Sequence, residues 1–322
     1  MNTRLLNPVR DFEDLKARVL EALRAQFPFV GTKHRLELES LEAVDSTSPD
    51  DEHHVDNVTA QQDTKLSGRS WEIPVRASLR LVNISDGKVL SRSSMALAKI
   101  PKLTRRYSYI IEGQERQHDS VFRLRSRPYH IIADNGDIKA KWNMAGGLSF
   151  DLDIDRASGA ITMHLGSSNI PVYTILSALG VSDSQMVDAW GKEVFAANQK
   201  KARSGDIFKA WKVLKRPKQG ESQPSVAEAA AYVRDYFLNK TKLRPDAMLA
   251  AFGREDAAVT GSNLLMSSKR VLGISRGTEE EDDRQSLASK DLASTGDFIV
   301  EAIQGRSKDV QARIEAQGTK GV

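Results

Sequence analysis

Asp151-Leu-Asp-Ile-Asp155 places three carboxylates at alternate positions, and such an acid cluster could hold magnesium as in polymerases and nucleases. Phe150, Leu152 and Ile154 alternate with Asp151, Asp153 and Asp155, as an amphipathic strand requires, and Asp155 opens an Asp155-Arg-Ala-Ser-Gly159 turn. The three acids therefore read as a solvated strand face. The six histidines offer no better ligand set: His53 and His54 lie in an acidic stretch, and none of His118, His130 and His164 has a second histidine at i+2 or i+4. No metal site is expected. Neither Gly-x-x-x-x-Gly-Lys-Ser/Thr nor Gly-x-Ser-x-Gly occurs, and Met144-Ala-Gly-Gly-Leu lies between strands instead of opening a helix. A phosphate cradle and a serine-nucleophile elbow are thus unsupported.

Clustered positive charge is more informative. Residues 99–127 hold eight Lys or Arg against three acids, interleaved with Tyr107, Tyr109 and Phe122; residues 200–218 hold eight against one, with Phe208 and Trp211. These two segments exceed the net charge of the whole chain, +4, and cationic clusters with aromatics suit phosphate binding. The first segment favours nucleic acid. The second balances two readings: nucleic-acid binding, or a solvated basic face offset by acidic loops with Phe208 and Trp211 turned to the core at helical spacing.

The elements that would position these residues follow from periodicity. Phe12, Leu15, Val19 and Leu23 predict a helix over Asp11–Gln26, with Asp11 as its cap and Pro28 beyond its end. Arg35-Leu-Glu-Leu-Glu-Ser predicts a strand, and residues 42–56, with six acids and no Lys or Arg, a solvated loop. Residues 71–84 predict a strand with Ile73, Val75, Ala77, Leu79 and Leu81 on one face and Arg76 and Arg80 on the other; Asp86-Gly87 turns it into a long hairpin with a basic outer face. Short strands follow at 107–111, 129–133, 148–154 and 160–165. Helical spacing takes over at 173–179, 183–197, 207–214 and 226–238, an exposed acidic loop at Glu279–Asp283 interrupts it, and a helix resumes over 292–303. The chain reads as α+β, its middle a β-then-α module. With 322 residues, 40% hydrophobic and 28% charged, it is sized for two domains. No Cys, no signal-peptide core and no stretch apolar enough for a bilayer lead to the expectation of a soluble, intracellular-type protein with no membrane partner.

In order, four stretches resemble the N-terminal part of the β subunit of multisubunit DNA-directed RNA polymerases, most closely the split β subunits of large bacteriophages. Trp71-Glu-Ile-Pro-Val-Arg-Ala-Ser-Leu-Arg-Leu-Val-Asn with Asp86-Gly-Lys is similar to the family's long hairpin. Ile100-Pro-Lys-Leu-Thr and Tyr109-Ile-Ile-Glu-Gly-Gln-Glu-Arg116 resemble its Leu-Pro-Leu-Met-Thr and Phe-Ile-Ile-Asn-Gly-Thr-Glu-Arg signature. Asn169-Ile-Pro-Val-Tyr-Thr-Ile-Leu-Ser-Ala-Leu-Gly180 is similar to Lys-Leu-Pro-x-x-x-Leu-Leu-Arg-Ala-Leu-Gly. Asp282-Asp-Arg-Gln-Ser-Leu287 with Ser294-Thr-Gly-Asp297 resembles Asp-Asp-x-Asp-x-Leu followed by Ser-Val-Gly-Glu.

The resemblance implies an α+β protrusion domain (1–122 and 288–322) with an inserted lobe domain (123–287), together one jaw of a DNA cleft touching downstream duplex and nontemplate strand. It implies no complete catalytic site and no cofactor in this chain, because the family's magnesium-binding Asp triad lies in β′. The partners implied are a C-terminal β piece, β′-like chains, a promoter-recognition factor and DNA, in the host bacterial cytoplasm or the phage virion. Arg116 and Glu115 match the family's Glu-Arg signature near the rifampicin-binding wall. Beyond it, Val121-Phe-Arg-Leu-Arg-Ser-Arg-Pro128 lacks the family's Gln and Pro-Gly, although Arg123, Arg125 and Arg127 keep its basic character. Gln285 and Lys290 stand where the family has an acid and an Arg that can pocket a nontemplate guanine, and Lys is the poorer bidentate reader. The expected DNA-contacting residues are Arg105, Arg106, Arg116, Arg123, Arg125, Arg127 and Lys290. The competing readings are a stand-alone DNA-binding or virion structural protein, and a metal-dependent nuclease using Asp151, Asp153 and Asp155.

Overall fold

Apolar residues at three-to-four spacing start the first helix, α1 (Pro8–Arg24), three residues earlier than Asp11. Pro8 fits there because the first helical N–H groups have no intrahelical acceptor to lose, and Asp11, expected at the cap position, lies inside the helix. The computed structural model describes residues 8–45, 54, 56–117, 119–217, 220–306 and 309. His53, His118, Lys218 and most of the acidic loop expected over 42–56 lie outside the described residues.

The chain divides into two compact units, 1–122 with 292–322, and 123–291. In the first unit, β1 (Phe29–Val30), β2 (His34–Ala43), β3 (Glu72–Asn83) and β4 (Val89–Pro101) form an antiparallel sheet in that order, with α2 (Val58–Leu66) between β2 and β3 in sequence. β3 turns Ile73, Val75, Ala77 and Leu79 inward against Phe12, Leu15 and Val19 of α1. The strict alternation expected to bury Leu81 fails: the register with β4 shifts between Leu81 and Val82, and Val82 is buried instead. The extra residue of this bulge is Leu90 on β4, and the local twist that a bulge adds accompanies the change of inward position on β3. Of the expected basic outer face, Arg80 pairs with Glu37 at 2.6 Å while Arg76 stays exposed, and on β4 Arg92 pairs with Glu39 at 3.0 Å. A small hairpin follows, β5 (Tyr109–Ile111) and β6 (Gln114–Arg116).

The chain leaves this unit along β7 (Val121–Leu124). In the second unit, β8 (Pro128–Ile132), β9 (Ile138–Trp142), β10 (Phe150–Ile154), β11 (Ile161–Leu165) and β12 (Ser168–Pro171) make an antiparallel meander. Clean alternation buries Ile138, Ala140, Trp142, Leu152 and Met163 on one face. Helices cover that face: α3 (Val172–Ala178), α4 (Asp183–Trp190), α5 (Lys192–Lys201), α6 (Asp206–Lys215), α7 (Val226–Asp235), α8 (Pro245–Phe252) and α9 (Gly261–Ser275). The single helix expected over 183–197 is two, because Gly191, at φ 85°, ends α4 and starts α5. The strands at 29–30, 114–116, 121–124, 138–142, 168–171 and 290–293 and helices α2, α8 and α9 are additional to the elements that periodicity predicts.

β13 (Lys290–Ala293) pairs with β7 as the chain returns, and α10 (Thr295–Gly305) rejoins the first unit. Leu292 therefore begins no helix; Ser294 caps α10 reciprocally with Asp297. Ile299 and Ile303 of α10 pack on the α1 core, and Arg18 forms an ion pair with Asp297. No helix among the described residues is long and apolar enough to cross a membrane.

Candidate nucleic-acid interface

In the first unit, the basic residues sit on a hairpin whose shape its sequence dictates. Glu112 and Gly113 both have positive φ, 50° and 75°, the two-residue turn whose twist suits adjacent antiparallel strands. Gly113 is required twice over: a Cβ there would lie 2.8 Å from Gly68 Cα and from the Lys65 carbonyl oxygen. Upstream, Thr104 and Ser108 are buried and share a 2.7 Å hydroxyl hydrogen bond, which closes the turn that presents Arg105 and Arg106. Both guanidiniums are about two-thirds exposed, Arg105 4.0 Å from Asp56 and Arg106 2.7 Å from Glu115. Arg116, exposed, donates to Gln114 Oε1 at 2.8 Å.

Glu115 is the hub of this hairpin. It accepts from Lys65 Nζ at 2.8 Å, from the Ser108 hydroxyl and from Arg106. The Lys65 hydrogen bond foremost, then those of Ser108 and the charge of Arg106, hold its carboxyl below the usual range. Arg105, Arg106 and Arg116 are thus solvent-accessible cations, two of them tied to carboxylates by contacts that solvent can replace.

The candidates of the second unit fare differently. Arg123 is half-buried in β7. Arg125 lies 3.2 Å from Asp291 and 3.9 Å from Asp246, carboxylates that Arg244 also engages. Arg127 is only 12% exposed, donates to Ser289 Oγ at 3.2 Å, pairs with Asp282 at 3.4 Å and lies 4.4 Å over the Tyr129 ring. A phosphate would have to displace all three partners, so Arg127 belongs to the interior and leaves the set of candidate DNA contacts. Lys290 is half-buried and reaches Gln285 Oε1 at 3.4 Å. In the segment beginning at Lys200, Trp211 is buried and Phe208 half-buried against the core, while Lys200, Arg203, Lys212 and Arg216 are exposed.

The three aspartates of β10 and its turn do not converge. Asp153 lies 3.3 Å from Lys139 and 2.9 Å from His164 across neighbouring strands. Asp155 instead accepts within its own turn, from Ser158 Oγ at 2.7 Å and Ala157 N at 3.0 Å. Asp151 is half-buried, and that burial pushes its carboxyl up, opposed by Lys141. The face is therefore half-buried and ion-paired, not simply solvated. Among the described residues no three His, Asp or Glu side chains gather as metal ligands would.

Local spacing misses one constellation. His130 Nδ1 lies 3.1 Å from Asp282 Oδ2, and its Nε2 lies 2.9 Å from Ser267 Oγ, the connectivity of a hydrolase triad. An ionised Asp282 can only accept, which places the proton on Nδ1 and makes Nε2 the acceptor of the Ser267 hydroxyl. His130 and Ser267 are wholly buried, so no substrate carbonyl can reach the hydroxyl, and the array acts as a structural lock. Burial pushes the His130 imidazole down, against the pull of Asp282. Burial pushes Asp282 up, but the His130 ring and backbone N–H and the guanidiniums of Arg270 and Arg127 outweigh it and hold the carboxyl far below its usual range. The Asp282 side chain is thus only 9% exposed, unlike the exposed acids beside it; with Glu281 it satisfies the outer edge of β8 through His130 N at 2.8 Å and Ile132 N at 2.9 Å. The signal for it is the acid-rich run beside a strand edge, which composition alone reads as solvated.

Comparison of the chain with family models and with curated proteins finds no match.

Proposed function

We propose that this chain is the N-terminal part of the β subunit of a multisubunit DNA-directed RNA polymerase of the kind large bacteriophages divide among separate chains. The observation that carries this reading is the order of four sequence motifs, the second of which, Tyr109–Arg116, forms a tight hairpin bearing an accessible arginine. The nesting of one continuous unit within a discontinuous one supports it, since a lobe inserted in a protrusion requires that chain path. In this reading the chain forms one jaw of the DNA cleft and binds DNA mainly through phosphates, with Arg105, Arg106 and Arg116 on one unit and Lys290 on the other as contacts. Nucleotidyl transfer by two metal ions takes place on a β′-like chain, and a C-terminal β piece and a promoter-recognition factor complete the assembly, in the host cytoplasm or the virion.

The test is co-expression with the polypeptides encoded beside it. The tagged chain is expected to co-purify with one carrying the remainder of β and with β′-like chains. The assembly should make RNA from a DNA template, and the chain alone none. Gly113→Val, which keeps every charge but forces a backbone collision in the hairpin, should abolish that activity. A chain recovered without partners, whose Gly113→Val variant binds DNA as the parent does, would instead be a stand-alone DNA-binding or virion structural protein.

A further inference from the structure

The second unit carries a charged face outside the four motifs. On α6, Ile207, Ala210 and Trp211 are buried, and Phe208, Val213 and Leu214 pack half-buried against the same core. Lys209, Lys212, Lys215 and Arg216 are exposed. With 3.6 residues per turn Lys209, Lys212 and Lys215 fall within a sector of about 120° that holds one apolar residue, the half-buried Phe208, and Arg216 follows them as the left-handed C-cap of the helix. Lys200, at the end of α5, and Arg203, in the connection to α6, precede them.

Little on this face compensates the charge. The one acid between Lys200 and Arg216 is Asp206, which is buried, accepts from Arg203 N at 2.9 Å and pairs with Lys209 at 2.8 Å. Lys215 is paired with Glu221 and stands 5.3 Å over the Trp211 ring. Among the described residues Lys200, Arg203, Lys212 and Arg216 have no carboxylate partner.

The chemistry of the face selects its ligand. Protein partners bind through buried apolar anchors, and every apolar residue of α6 is turned to the core. Single strands are held by stacking bases on exposed aromatics, and Trp211 is 4% exposed. What remains is recognition by charge alone, along a row in which Lys209, Lys212 and Lys215 follow one another at about 4.5 Å of axial rise, against a ligand with closely spaced negative charge. We propose that this face binds the phosphate backbone of duplex nucleic acid, without sequence preference. The surface belongs to the second unit by itself, shares no residue with the DNA contacts named above and requires no polymerase partner, so it does not rest on the function proposed above.

Fluorescence anisotropy of the full chain with a labelled duplex of about 20 base pairs, between roughly 50 and 200 mM salt, tests this. Combined Lys200→Gln, Arg203→Gln, Lys212→Gln and Arg216→Gln should weaken binding at least ten-fold at about 100 mM salt and make the slope of log affinity against log salt shallower by about 3.6. All four side chains are exposed, so the thermal unfolding midpoint should not move. If the quadruple variant does not fold, Lys212→Gln and Arg216→Gln singly should each lower the slope by about 1, and Lys212→Arg should leave it unchanged. Unchanged affinity and slope in the neutralised variants would overturn the proposal, as would tighter binding of the single strand or equal competition by polyglutamate. Failure of the co-purification above, with duplex binding still lost in the quadruple variant, would reject the polymerase reading and leave this one standing.

Discussion

Glu115 in the first unit and Asp282 in the second do the same arithmetic in different solvents. Each carboxylate gathers two cations and a further donor: Lys65, Arg106 and Ser108 around Glu115; Arg127, Arg270 and His130 around Asp282. The Glu115 side chain is 22% exposed, with Arg106 67% exposed, whereas Asp282 is 9% and His130 0% exposed. Near water the contacts are weak and exchangeable, and a phosphate can take a carboxylate's place. Inside, removing one partner strands the others without solvation. Charge clustering alone therefore says nothing about availability, and Arg127, the most deeply engaged of the candidate arginines, shows why.

Asp282→Ala is the sharpest way to break the comparison. Arg127, Arg270 and His130 would lose their acceptor, and the second unit should lose about 3–5 kcal/mol in denaturant unfolding. A loss under about 1 kcal/mol would place Asp282 with the surface pairs. Acid should act next. His130 has a depressed folded pKa, so its stabilisation is complete above the ordinary imidazole value of 6.5 and is lost as pH falls below it. Asp282, also depressed, adds a second loss below its ordinary 3.8. Unfolding curves at pH 7.5 and 5.5 should differ by up to about 1.4 kcal/mol, the free energy of a tenfold change in the folding equilibrium as the unfolded imidazole takes up its proton. His130→Gln should flatten this dependence, and a slope unaltered by that substitution would assign it elsewhere. Glu115→Gln should cost the first unit about 1 kcal/mol, a difference that about 1 M NaCl largely removes while leaving the Asp282→Ala deficit in place. The smallest effect, a gain of about 0.5 kcal/mol, is expected from Glu112→Asn, because Asn tolerates the left-handed conformation better; a lower melting temperature would show that the Glu112 side chain matters to the hairpin.

What the sequence discloses divides along the same line. α1, β10 and α6 are legible because their burial has one period and their cores lie on one face. The reciprocal caps Ser182 with Gln185 and Ser225 with Glu228 are local too, but hydrophobic periodicity does not register them. Leu81 misleads because a bulge at Leu90 of the partner strand accompanies a change of inward position, and no local signal marks it. The His130 lock is illegible for a different reason: its partners are 137 and 152 positions away, and only the packing of α9 and the return of the chain at Asp282 bring them to β8. Asp282 reads as solvated because its neighbours Glu279, Glu280 and Glu281 are acidic too, and composition does not separate the one carboxylate turned inward from the others.

The pairing of α1 with α10 sets an order of events during synthesis. Arg18 meets Asp297 across 279 positions of sequence, so at roughly 5–20 residues per second the first helix leaves the ribosome some tens of seconds before its partner exists. For that interval the apolar residues of α1 that face Ile299 and Ile303 lack their cover. The second unit, uninterrupted from 123 to 291, can complete its meander and helices in the meantime. The discontinuous unit is therefore the last to close and the one most exposed to chaperones and to misassembly, although its first residues are the first to be made.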